Sequence, residues 1–64
     1  MTTNSEMQLK CLQIEDMVRE MVVRGTTVNR ELIEVVDYNF SPANEWEMEM
    51  FSEAILYAKF AVLN

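Results

Sequence analysis

The stretch MVVRGTTVNREL, residues 21–32, holds the only glycine of the chain, with an apolar run before it and a charged run after it. A helical pattern runs into Gly25 and resumes at Asn29. Glycine takes the positive φ of a helix C′ position at the least steric cost. Arg24 sets a cation in the last turn, where the helix dipole favours it. Asn29 reads as the N-cap of the next helix, its side-chain oxygen accepting from an early backbone N–H. Val28 before it and Ile33 a turn later can close as a hydrophobic staple. The stretch is thus a joint between two helices, and an all-α fold follows if the segments on either side are amphipathic.

They are. Upstream, Ser5 with Gln8 forms a capping box. Met7, Cys11, Ile14, Val18 and Met21 share one helical face, widened by Leu12, Met17 and Val22. This predicts a first helix over residues 6–24. Downstream, Leu32, Ile33, Val35 and Val36 give an apolar face to a short helix over residues 30–38. In FSPANEWEMEMF, residues 40–51, Ser41 reads as N-cap and Pro42 as N1, where its missing N–H does no harm. The third helix should run over residues 42–62. Its apolar residues fall in two adjacent stripes, Trp46, Met50, Ala54, Tyr57 and Ala61 beside Phe51, Ile55, Ala58 and Val62. The expected architecture is one small helical domain over residues 1–64, three helices in the order long, short, long.

The remaining face of the third helix carries Leu56, Phe60 and Leu63 in line with Glu45, Glu49 and Glu53. A helix that is apolar nearly all round is enclosed or lies in an interface. Leu56, Phe60 and Leu63 therefore predict a homodimer; the alternative is that the N-terminal segment of the same chain covers them. The three glutamates read as a solvated stripe favoured by the helix dipole, and as a candidate site for a partner. Glu47 lies amid apolar neighbours. It either reaches water near the helix start or meets an arginine of a partner.

Composition narrows the function. The chain has 64 residues, half of them apolar, with six methionines and one tryptophan, and a net charge of −6 from eleven acids and five bases. A single domain this short is marginal alone, which agrees with a second copy or a partner. Five bases in an acidic field make a poor nucleic-acid footprint, and the same balance disfavours anionic membrane surfaces. Basic protein surfaces fit it. There is no histidine to act as a base or to hold a metal. Cys11 is alone on the apolar stripe and reads as a small core residue, suited to a reducing cytoplasm. The methionines read as core. No catalytic, cofactor or metal site is expected. The N-terminus lacks the basic and apolar regions of a signal peptide, Met1 reads as the start of a complete small reading frame, and no apolar run is long enough to span a membrane. A helix-turn-helix needs donors on its second helix. Here that helix offers Asn29, Arg30, Glu31 and Glu34, so the joint is expected to pack helices and not to read DNA.

A family likeness adds to this. The run IEDMVREMVVRG (14–25), then TTVN (26–29), a charged pair and LIEVV (32–36) resembles the YmgB/AriR family. These are small biofilm-development and acid-resistance regulators, also called two-component-system connector proteins. In that family a Val-rich helix ends at Gly, and an aliphatic residue with Asn or Ser precedes the next helix. Gly25, Val28 and Asn29 hold those positions, and the likeness covers residues 14–62. It implies an all-helical, Hha-like, dimeric protein whose partner is a sensor kinase or a nucleoid-associated protein. It also implies a role in biofilm or acid-stress control through a phosphorelay. DNA binding has been proposed for the family, and the thin basic content of this chain opposes it. The four residues MVVR ahead of an acidic helix are also similar to the phycobilisome-degradation adaptor NblA, a match too short to imply anything. The alternative function is an acidic inhibitor or DNA mimic, of the kind phages encode, that covers a basic surface with Glu45, Glu49 and Glu53. A direct DNA-binding regulator ranks third.

Overall fold

The computed structural model describes residues 2–63. It contains three helices, α1 (Thr2–Val23), α2 (Asn29–Phe40) and α3 (Glu45–Leu63). The order long, short, long is the one expected.

Gly25 ends α1 as its sequence position implies. Its φ is +109°. The Gly25 N–H donates to the Val22 carbonyl at 3.0 Å, and the Thr26 N–H donates to the Met21 carbonyl at 2.9 Å. These two crossed bonds are the Schellman motif, which satisfies carbonyls the helix end would otherwise orphan.

The other ends differ from expectation. The capping box at Ser5 is not formed: α1 already begins at Thr2, so Ser5 lies inside it and is exposed. Thr2, Thr3 and Asn4 are all residues that helix starts accept, which makes the position of the start ambiguous in the sequence. Asn29 is likewise not the N-cap of α2. Val28 takes that place in an extended conformation with no side-chain cap, and its carbonyl accepts from the Leu32 N–H at 3.1 Å. The staple is lost with it, because Val28 is now the cap itself, and both Val28 and Ile33 are exposed.

At the second joint, Ser41 closes α2 and does not open α3. It sits in the left-handed region with φ 46° and ψ 77°, and its N–H donates to the Asp37 carbonyl at 2.9 Å. α2 therefore runs past Tyr38 to Phe40, whose ring meets Phe51 edge-on at 6.2 Å between centroids and 66° between planes. That contact explains the extra residues. Pro42 falls in the linker, and α3 begins at Glu45.

The core is formed by Ile14 and Val18 of α1, Leu32 and Val36 of α2, and Phe51, Ile55 and Ala58 of α3, all fully or almost fully buried. Met7, Val22 and Ala54 extend it. Burial of each large side chain is worth about 1.5–3 kcal/mol, so this set is the main stabilising term. Of the two stripes on α3, the one with Phe51, Ile55 and Ala58 is the core stripe. From the other, only Ala54 is buried and Met50 half-buried; Trp46, Tyr57 and Ala61 face solvent.

α1 and α3 form the principal helix pair, and they run parallel. Met7 and Met50 border one hollow near their starts, while Val23 and Val62 border another near their ends. α2 runs back between them on one side, with Asn29 beside Lys59 and Phe40 beside Phe51. The resulting body measures 36 × 19 × 15 Å, its length set by α1 at about 1.5 Å per residue.

Candidate functional site

α3 turns one face away from the core along its whole length, and that face has two parts. Near its start, Glu45, Glu49 and Glu53 are exposed and, among the described residues, form no ion pair. Towards its end, Leu56, Phe60 and Leu63 remain 39, 54 and 55% exposed. The N-terminal part of α1 does not cover them, since it lies beside the start of α3 and not its end. The covered-monomer alternative is thereby corrected.

Glu47 has a local role that neither expectation anticipated. Asn44 is the N-cap of α3: its Oδ1 accepts from the Glu47 N–H at 2.9 Å, and its carbonyl accepts from the Met48 N–H at 3.0 Å. Glu47 reaches back, its Oε1 accepting from the Ala43 N–H at 3.1 Å. This is a reciprocal cap of the capping-box kind, shifted by one residue. The carboxylate is occupied within its own chain.

Four of the five bases lie towards one end of the molecule. Arg19, Arg24, Arg30 and Lys59 lie in the half of the molecule where α1 and α3 end, together with Glu20, Glu31 and Glu34. Glu6, Asp37, Glu45, Glu47 and Glu49 lie towards the opposite end with Lys10, and Glu15, Asp16 and Glu53 lie about midway along α1 and α3. Arg19 sits at the border, 3.5 Å from Glu15 and 3.6 Å from Asp16. Lys59 donates to Asn29 Oδ1 at 2.8 Å. One end is thus nearly neutral, and the other end and the middle are acidic.

From the acidic end to the middle, on the side of the α1–α3 pair that α2 leaves open, two hollows of about 250 and 330 Å³ adjoin. They share Cys11, Glu15 and Met50, so they form one trough. Met7 and Leu12 line one end, Ala54 and Tyr57 the other. The Cys11 thiol is pushed up from its ordinary value by partial burial first, then by Glu15 and Glu53. A thiol held protonated is a poor nucleophile. Among the described residues, no three Cys, Asp or Glu side chains gather as a metal would require, and no helix is long and apolar enough to cross a membrane. Sequence reasoning missed the trough: Leu12 and Tyr57 looked like core, and nothing in their spacing says which side of the pair α2 covers.

No family model, curated protein or solved structure matches this chain.

Proposed function

We propose that this chain is a non-enzymatic regulatory connector. In this reading it forms a homodimer through Leu56, Phe60 and Leu63, and it presents Glu45, Glu49 and Glu53 to a basic surface of a signalling or nucleoid-associated protein. The supporting observation is the division of the solvent face of α3 into an acidic part and an exposed apolar part. Exposed apolar clusters mark interfaces, and this one lies at the near-neutral end, where two copies meet with the least repulsion. A dimer interface of standard size covers about 800 Å² per copy, against a total surface of 4641 Å². Leu56, Phe60 and Leu63 would be its centre, with Tyr57 and Lys59 at its edge. The likeness to the YmgB/AriR family adds the setting: the cytoplasm, and biofilm or acid-stress control through a two-component phosphorelay.

The unpaired glutamates also favour a second reading, an acidic inhibitor that mimics DNA. Residues four apart on a helix rise about 6 Å, while a DNA duplex carries a continuous run of charge along both strands. The stripe holds only three charges on one helix, too short a row to stand for a duplex backbone, and a protein surface fits it better. Duplex DNA as a partner is opposed by the state of the bases: Arg19 and Lys59 are engaged within the chain.

Light scattering at tens of micromolar tests the first reading. It should return about twice the 7.5 kDa chain mass, and Phe60→Glu should return the monomer. A monomeric wild type would overturn the dimer. Capture from a host lysate that is lost in a Glu45→Lys, Glu49→Lys variant would identify the partner of the acidic stripe.

A further inference from the structure

The trough between α1 and α3 has a shape and charge that the connector reading does not yet use. Its floor is Cys11, Ala54 and Met50, and Leu12 and Tyr57 are largely exposed at its margins. Glu15 stands on the α1 side and Glu53 on the α3 side. We propose that this trough is the docking site for a basic amphipathic helix of a partner protein. The proposal rests on the reading of the chain as a protein-binding module, and it names the surface and the kind of partner.

Three observations select that occupant. The first is dimension. From Met7 to Glu15 the α1 wall is about 12 Å long, some two helical turns, which suits apolar anchors at i, i+3, i+4 and i+7. The second is composition. Met7 and Met50 supply flexible, polarisable side chains that adapt to different anchors. The third is charge. The trough's lining holds two carboxylates and no base. Glu53 is exposed and unpaired among the described residues, and Glu15 is shared only with the exposed Arg19. A cation on the α3 edge of an incoming helix would therefore meet Glu53, and one on the α1 edge would compete with Arg19 for Glu15. A second copy of this chain, with its net charge of −6, would instead bring acid against acid there, which like-charge repulsion opposes. Both carboxylates also act on Cys11 across the trough.

The probe is a helical peptide of leucines and lysines, with leucine at the anchor spacing and lysine elsewhere. The only cysteine of the chain lies in the trough, so its alkylation reports occupancy at the site itself. Saturating peptide should slow alkylation of Cys11 at least tenfold. Glu15→Gln with Glu53→Lys should weaken peptide binding at least tenfold. Glu31→Lys with Glu34→Gln, exposed on α2 away from the trough and changing the net charge by the same amount, should leave it within threefold. Circular dichroism confirms the fold of each variant. Binding that leaves Cys11 unprotected, or that both double variants weaken equally, would overturn the proposal. If the chain still dimerises in that case, the connector reading survives without the trough. If Cys11 is protected in a monomeric chain, the trough stands and the dimer falls.

Discussion

Lys59 Nζ donates to Asn29 Oδ1 at 2.8 Å, tying the last third of α3 to the first turn of α2. The residue whose type marks it as a helix cap is thus spent on a tertiary contact. A double-mutant cycle with Asn29→Ala and Lys59→Met should show a coupling of about 0.5–1 kcal/mol in urea unfolding. If Asn29 were capping α2, Asn29→Ala would carry the whole loss and the coupling would be zero.

Ser41 holds a left-handed conformation with a side chain, which costs an L-residue about 1–2 kcal/mol. Ser41→Gly should therefore raise stability by roughly 1 kcal/mol and increase the melting temperature. A loss would mean that Ser41 serves α3 as a cap after all.

Asn44→Ala removes the acceptor for the Glu47 N–H and should destabilise the chain by about 0.5–2 kcal/mol. Glu47→Ala should lose less, because the Ala43 N–H that it accepts from is exposed and can turn to water. Chemical denaturation of the two variants side by side checks the order.

Gly25→Ala should cost about 1 kcal/mol, seen as a lower denaturation midpoint. A Cβ at Gly25 would meet nothing within 4 Å, so the penalty is purely one of backbone torsion. Gly25→Asn, which tolerates positive φ better, should recover part of it.

Cys11 gives the pH dependence. Its folded thiol titrates above the ordinary value, so the folded state disfavours the thiolate. The associated stability is full below the unfolded thiol pKa and is lost as pH rises through the folded one. Alkylation of the folded chain should keep accelerating above the pH at which the urea-unfolded chain has levelled off. Cys11→Ala should flatten the alkaline loss of stability.

The residues that could be read correctly in the sequence were those with one physical use. Gly25 had only a stop to offer, and the spacing of Ile14, Val18, Leu32, Val36, Phe51 and Ile55 admitted only a shared interior. The residues misread or passed over had competing uses. Ser41, Asn44 and Asn29 are all cap formers, and the choice among them depended on Phe40 reaching Phe51 and Lys59 reaching Asn29, contacts between residues distant in the chain. The outward placement of Leu56 and Phe60 was legible because three glutamates share their face. The trough was not, since it exists only once α2 has settled on one side of the α1–α3 pair.

The parallel course of α1 and α3 governs how this chain must acquire its structure. Parallel helices cannot be joined by a tight hairpin, so the largest apolar contact closes only after α2 has carried the chain back along its own length. Closing a long loop delays the contacts that reward it. Neither neighbouring pair, α1 with α2 or α2 with α3, is the principal packing unit. Folding should therefore be slower than in helical hairpins of similar size, and all-or-none. During synthesis, α1 and α2 would emerge from the ribosome with their apolar faces still uncovered, and the interior would assemble only once α3 had also emerged.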